Sequence, residues 1–317
     1  MHRHASYARI STALAIHDDR RLRDMVEAAR SGGAGIGGRS GVLDVDGTPV
    51  FVKRVPLTER ELRPEHLRST ANLFGLPDFY QYGVGSAGFG AWRELATHVM
   101  TTNWVLSGAH DGFPLMYHWR ILPDARPDGF MDQFGGIDGA VAHWENSPAV
   151  RGRLEELAAA RHSLVLFLEY VPDTLAGWLA ARGDDVAAYR WVLRELGRGT
   201  GFLRHQGVVH FDAHFGNLLT DGERILFADF GLALSSRFQL SATERDVLDR
   251  HLPSYDFLLT LSHLRRHHLP PTAPDAVRGL LAPHAPALAV FDGFVERLLG
   301  DGKRTPYPAE DIAETQA

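Results

Sequence analysis

The chain has 317 residues, 44% of them hydrophobic and 23% charged, with a formal charge of −6 at neutral pH; that length suits two lobes with separate cores better than one. With no cysteine, disulfide scaffolds, thiolate nucleophiles and sulfur-ligated zinc are excluded, and the mild negative charge gives no pull toward nucleic acid or anionic lipid. Residues 1–30 carry scattered Arg, Asp and Glu with a brief apolar run at 13–16, and no run approaches the roughly 18 apolar residues of a membrane span, so the expectation is a soluble, cytoplasmic protein with neither membrane nor nucleic acid as partner.

Gly33-Ala34-Gly35-Ile36-Gly37-Gly38 satisfies a G-x-G-x-x-G pattern, in which missing Cβ atoms let backbone N–H groups approach phosphate oxygens. With 32 glycines in the chain the pattern also arises by accident, and its position is what gives it weight. Residues 40–45 and the β-branched, aromatic run 48–55 read as a hairpin turning at Asp46-Gly47 and carrying Lys53; a dinucleotide-binding fingerprint would instead open a helix directly after a strand. A lone lysine in a strand is by default a solvated edge residue. Residues 57–90 are rich in glycine and aromatics, including Phe74, Phe79, Tyr80, Tyr82 and Phe89, and suit either packing or an acceptor or partner surface. In residues 92–100, Leu95, Val99 and Met100 recur at helical spacing with Glu94 beside the stripe. Glu59, Glu61 and Glu65 lie nearer Lys53 in sequence, but Pro56 and Pro64 interrupt any long helix there.

Residues 114–122 and 163–171 read as buried strands of the same sheet. Between them, 123–162 form an insertion with a Pro- and Gly-containing start and an alanine-rich helical end. Farther on, 189–204 and 245–265 have helical patterns. The expected fold is α+β in two lobes: 1–171 with an antiparallel sheet, one helix and insertions, and 172–317 mostly helical.

The most informative residues fall in the second half: His210-Phe211-Asp212-Ala213-His214-Phe215-Gly216-Asn217, and then, twelve residues after Asn217, Asp229-Phe230-Gly231. Residues 218–220 and 224–228 are short apolar strands joined at Asp221-Gly222. Such a hairpin folds the second motif onto the first and sets Asn217 and Asp229 at adjacent strand ends. Phosphoryl transfer needs a carboxylate to orient the acceptor hydroxyl and oxygens to hold magnesium on the phosphates, because clustered negative charge is its main obstacle. Asp212, Asn217 and Asp229 are oxygens of that kind. The alternation of His210, Asp212 and His214 also suits a metallohydrolase site, but that reading leaves Asn217 and Asp229-Phe230-Gly231 without a purpose.

The two motifs resemble H-x-D-x-x-x-x-N and D-F-G of the protein-kinase-like superfamily, with every defining position matched. With His214 two residues after Asp212, the loop is most similar to the aminoglycoside phosphotransferase-like, small-molecule kinase branch. The resemblance implies a two-lobed kinase-like fold, a nucleotide-binding lobe at 1–171 and a catalytic lobe at 172–317, with ATP and Mg2+ as cofactors. It implies Asp212 as the catalytic residue and Asn217 and Asp229 as metal ligands. For the nucleotide it implies Lys53 on the phosphates, Glu94 pairing with Lys53, Gly33, Gly35 and Gly38 in the glycine-rich turn, and main chain near Glu169 and Val171 at the base. The acceptor it implies is a hydroxyl of a small molecule such as an antibiotic or amino sugar. No Ala-Pro-Glu follows Gly231, as the substrate platform of protein kinases would require; an atypical protein serine/threonine kinase is the alternative, and a nucleotide-binding pseudokinase the less favoured one. Glu244, Asp246, Asp249 and Asp256 would favour a cationic acceptor if they formed one surface, although a solvated acidic helix is the plainer reading.

Overall fold

In residues 48–57 a period of two sorts side chains to opposite faces, and this places the rest of the first sheet. Five antiparallel strands, β1 (Arg30–Gly35), β2 (Gly38–Val45), β3 (Thr48–Leu57), β4 (Met116–Pro123) and β5 (His162–Glu169), are ordered β1-β2-β3-β5-β4. The computed structural model describes residues 2–35, 38–124, 130–269 and 274–315. The chain divides into two compact units, Met1–Val171 and Pro172–Ala317.

In the first unit, helices α1 (His2–Ala15) and α2 (Asp19–Glu27) lead into the sheet and pack on β4. The sequence expectation of one helix in this region therefore fell short. The reason is sparse patterning: α1 buries Ile10 and Leu14, and α2 buries Leu22 and Val26, one i, i+4 pair each among polar residues. A short helix, α3 (Glu59–Leu62), and the 3-10 turns Pro64–His66 and Asp78–Gln81 follow β3, and then comes α4 (Ala91–Leu106). Ala91, Trp92 and Leu95 of α4 share a buried cluster with Val55, Leu57, Leu164, Leu166 and Leu168 of the sheet. Helices α5 (Ile137–His143) and α6 (Pro148–Ala158) lie within the insertion between β4 and β5. The aromatics of 57–90 serve packing: Phe79, Tyr80, Tyr82 and Phe89 are buried, and Tyr80 meets Trp144 edge-on at 4.6 Å.

The second unit is mostly helical, with α7 (Leu175–Ala180), α8 (Val186–His205), α9 (Ala242–His251), α10 (Tyr255–His263), α11 (Asp275–Leu281), α12 (Ala285–Gly300) and α13 (Ala309–Glu314). The pattern at 245–265 is two helices rather than one. Pro253 lacks the N–H that would continue α9, and α10 runs on into a π-helical turn at Leu264–His268. The short strands β6 (Asp173–Thr174), β7 (Val208–Val209), β8 (Leu218–Thr220), β9 (Ile225–Phe227) and β10 (Leu234–Ser235) form two small sheets, β6-β8-β9 and β7-β10. Among the described residues no helix is long and apolar enough to cross a membrane.

Glu61 ties the first unit together. Its carboxylate accepts the Thr58 amide at 3.0 Å, the Ala91 amide at the start of α4 at 2.8 Å and the Arg153 guanidinium of α6 at 2.9 Å. Both members of the ion pair are almost wholly buried. Glu61→Ala strands a buried guanidinium and is expected to cost about 3–5 kcal/mol, whereas Glu61→Leu combined with Arg153→Met removes both charges and recovers most of that loss. Urea unfolding of the three proteins measures it, and equal destabilisation by the single and double changes would contradict the ion-pair account.

Candidate active site

Lys53 sits in the middle of the apolar face of β3. Its cross-strand partner is Leu166, and Val55 faces Leu164, so Lys53 points to the same side as the cluster that receives α4. An ammonium group buried on such a face requires an opposite charge. Glu94 supplies it from the first turn of α4: Nζ to Oε1 is 2.7 Å, and both side chains are buried. Glu61, the nearer glutamate in sequence, is committed to α4 and Arg153.

The glycines lie upstream on the same sheet. Gly33 pairs with Ser40 and Gly35 with Gly38 across the β1–β2 hairpin; Ile36 and Gly37 of the motif fall outside the described residues. Gly38 has φ +130°, and a Cβ there would come 2.1 Å from the Arg54 carbonyl, so close approach of β3 already requires this glycine.

The end of β5 departs from expectation. The strand stops at Glu169, two residues short of the predicted end. The Glu169 amide donates to the Leu115 carbonyl at 2.7 Å, and its carboxylate takes Arg3 of α1 at 2.6 Å and the Leu115 amide at 3.0 Å. The Glu169 N–H is therefore committed within the unit. Val171 lies beyond the strand.

In the second unit, two strand pairs fix the loop geometry. β7 ends at Val209, one residue before His210, and pairs with β10, which follows Gly231. β8 and β9 form the hairpin between the motifs, with Leu218 opposite Phe227, and the ladder extends one step further through the Ala228 amide to the Asn217 carbonyl at 3.0 Å. Asp229 is the next residue. Both motifs are thus clamped at two places.

Within the loop, the Asn217 side-chain amide donates to the Asp212 carboxylate at 2.9 Å and to the Asp212 carbonyl at 3.0 Å. With its NH2 so committed, the Asn217 oxygen is the end left to act as a ligand. His210 is buried, its Nε2 bonded to the Ala228 carbonyl at 3.0 Å and its Nδ1 accepting the Asp212 amide at 3.3 Å. Burial pushes this imidazole down to about 4, so it is neutral and braces one motif against the other. With both ring nitrogens occupied, it is not a metal ligand. The Gly216 amide donates to His214 Nδ1 at 3.1 Å, and His214 Nε2 stands 3.9 Å from Asp212. Phe230 is buried 5.1 Å from the His210 ring. Phe211 and Asp229 both have left-handed backbones, with φ of +64° and +61°, a strained conformation for non-glycine residues that persists where surroundings enforce it.

One residue of this architecture was misjudged from sequence. Asp256, counted among surface carboxylates, is buried at the start of α10 and accepts the His210 and Phe211 amides at 2.7 and 3.0 Å. Glu244 is buried as well, closing a capping box with Ser241 at the start of α9. The four acids therefore do not form one exposed surface. The available signal for Asp256 was its setting, Tyr255-Asp256-Phe257-Leu258-Leu259, an acid flanked by large apolar residues.

Oxygen donors on Asn217 and Asp229 suit magnesium, which is commonly held by one or two protein groups plus substrate phosphates. Among the described residues no three His, Asp or Glu side chains form a metal-binding group. No protein-family model matches the chain, and no curated protein matches it either.

Asp256 gives a pH-dependent prediction. Desolvation raises its carboxyl to about 7 in spite of the two amide donors, against about 3.9 in an unfolded chain. Its stabilising contribution is thus full below about pH 4 and lost as pH rises through about 7. His210 acts in the opposite sense, its contribution fading as pH falls from about 6.5 toward 4. The stability difference between wild type and Asp256→Asn should therefore shift against the wild type from about pH 4.5 to 7.5. Denaturant midpoints across that range measure it; a constant difference would mean that Asp256 does not titrate there.

Proposed function

We propose that the protein is an ATP- and magnesium-dependent phosphotransferase of kinase-like, two-lobed architecture, acting on a hydroxyl of a small molecule. The observation that carries this reading is the direct contact of Asn217 with Asp212, together with the one-step extension of the β8–β9 ladder that brings Asp229 beside them. Three side chains of the kinds that orient an acceptor and hold magnesium thus share one loop system, which supports the reading. The buried Lys53–Glu94 pair supports the reading from the first unit.

Lys53, held extended by Glu94, contacts the non-transferred phosphates, while Asn217 and Asp229 hold magnesium. Bound magnesium offsets the negative charge that accumulates on the phosphates. Asp212 aligns the acceptor hydroxyl and receives its proton as the new oxygen–phosphorus bond forms and the bond from the γ-phosphorus to the bridging oxygen breaks, giving a phosphate ester and ADP. The Asn217 amide keeps the Asp212 carboxylate in one orientation. Between Gly231 and α9 the chain runs only from Leu232 to Ser241 and includes β10, which leaves little main chain for a peptide platform and favours a small acceptor.

Asp212→Asn is expected to lower turnover by about 10²–10⁴ while nucleotide affinity stays near wild type. Asp229→Asn should weaken magnesium-dependent ATP binding as well as turnover. Calorimetry with Mg-ATP and an ATP-consumption assay across hydroxylated antibiotics, sugars and amino alcohols test both; wild-type affinity in the Asp229 variant would remove it as a ligand.

A further inference from the structure

Three histidines of the second unit meet on the flank of the loop that carries Asp212. His263 ends α10, and His267 and His268 belong to the π-helical turn after it. In an α-helix the residue four positions on shares a face, while the fifth lies about 140° away. Widening the turn to i→i+5 bonding brings both neighbours round: the His267 and His268 rings lie 4.7 and 4.9 Å from the His263 ring. The Tyr189 hydroxyl of α8 fixes the end of the turn through the His268 carbonyl at 2.9 Å.

This group abuts the loop. Phe215 stacks on His268 at 4.7 Å with an interplanar angle of 9°, and His214 lies 5.8 Å from His263. Nδ1 of His263 and Nε2 of His268 are buried with no hydrogen-bond partner among the described residues, a costly arrangement unless something is received there.

The surroundings indicate what is received. Arg265 and Arg266 of the same turn are paired with Asp292 and Glu296 of α12. Helix α7, which also packs on the turn, carries no charged residue. From the loop side come only His214, with Asp212 beyond it at 3.9 Å, and the more distant field of Asp229. Among the described residues no carboxylate forms an ion pair with the three imidazoles; on the α8 side Asp184 acts on Tyr189. Burial, and then mutual repulsion with His268, His267 and His214, pushes His263 down to about 3. Among the described residues no three such side chains form a metal-binding group, whereas an oxyanion, whose oxygens are spread apart, can accept from separated nitrogens.

We propose that His263, His267 and His268 form an anion subsite that takes the carboxylate or phosphate group of the acceptor alcohol. The acceptor is then a hydroxy acid or a phosphorylated alcohol rather than a cationic amino sugar. The anion subsite stands by itself; its assignment to the acceptor rests on the phosphotransferase reading.

Calorimetry on the whole chain without nucleotide tests the subsite, with inorganic phosphate and glycolate as probes and with zinc and ethanolamine as controls. One or both anions should bind, with affinity rising as pH falls from about 8 to 6 wherever binding draws a proton onto an imidazole. Comparing phosphate with glycolate tells which anion is preferred. His267→Gln, at an exposed position, and His268→Gln should each weaken binding several-fold with an unchanged circular dichroism spectrum. Absence of anion binding, insensitivity to both substitutions, or binding of zinc or ethanolamine in place of the anions would overturn the subsite. Anion binding with ATP-dependent turnover of cationic alcohols only would overturn the acceptor class while phosphotransfer stands. Anion binding with no turnover of any alcohol would support the subsite and count against the phosphotransferase reading instead.

Discussion

Two amide hydrogens govern the geometry of the second unit. Once the chain leaves β7 it turns inward, and the N–H groups of His210 and Phe211 have no strand to receive them. A buried N–H without a partner is costly, and Asp256 removes that cost for both while holding Phe211 in its left-handed conformation. The next residue is Asp212. A carboxylate from a helix, far from the loop in sequence, thus determines how the loop presents its acid. Neutral His210 does the complementary job toward the other motif through the Ala228 carbonyl, so the loop is anchored to a helix below and to a strand end beside it.

The first unit solves a related problem with opposite charge. A sheet face that must bury Val55, Leu57 and Leu164 against α4 also contains Lys53, and the ammonium group is tolerated because Glu94 is presented from the first turn of that helix. The start of α4 is in turn held by Glu61. The chain of support runs from Arg153 through Glu61 to α4 and then to the Lys53–Glu94 pair, each link a charged or hydrogen-bonded group in a dry setting where loss of one partner is expensive.

How much of this could be read in the sequence follows from the range of each interaction. The β8–β9 hairpin was legible because its alternation and its Asp221-Gly222 turn are local, and with it the adjacency of Asn217 and Asp229. Glu94 was legible because prolines interrupt the segment that holds the nearer glutamates, although the stripe that pointed to it held only in part: Leu95 is buried, whereas Val99 is exposed. Asp256 was not: an acid on a helix is usually exposed, and its burial depends on amides some 45 residues away. The commitment of Glu169 to Arg3 spans almost the whole unit. Helices α1 and α2 offer too few apolar positions for periodicity to reveal them, and His268 stands at a spacing that matches no α-helical face. Local patterning was thus readable, while long-range satisfaction of buried polar groups was not.

The bond between Arg3 and Glu169 also has a bearing on synthesis. The residue that secures the end of β5 is translated 166 positions before its partner, and β5 itself lies between β3 and β4 in the sheet. During synthesis α1 emerges before the strands it docks on, and its docking surface is completed only when the last strand of the unit emerges. Contacts of such long sequence separation make folding slow and leave early segments waiting. Until β5 is made, β3 and β4 have no strand between them, and the sheet of the first unit lacks an interior member.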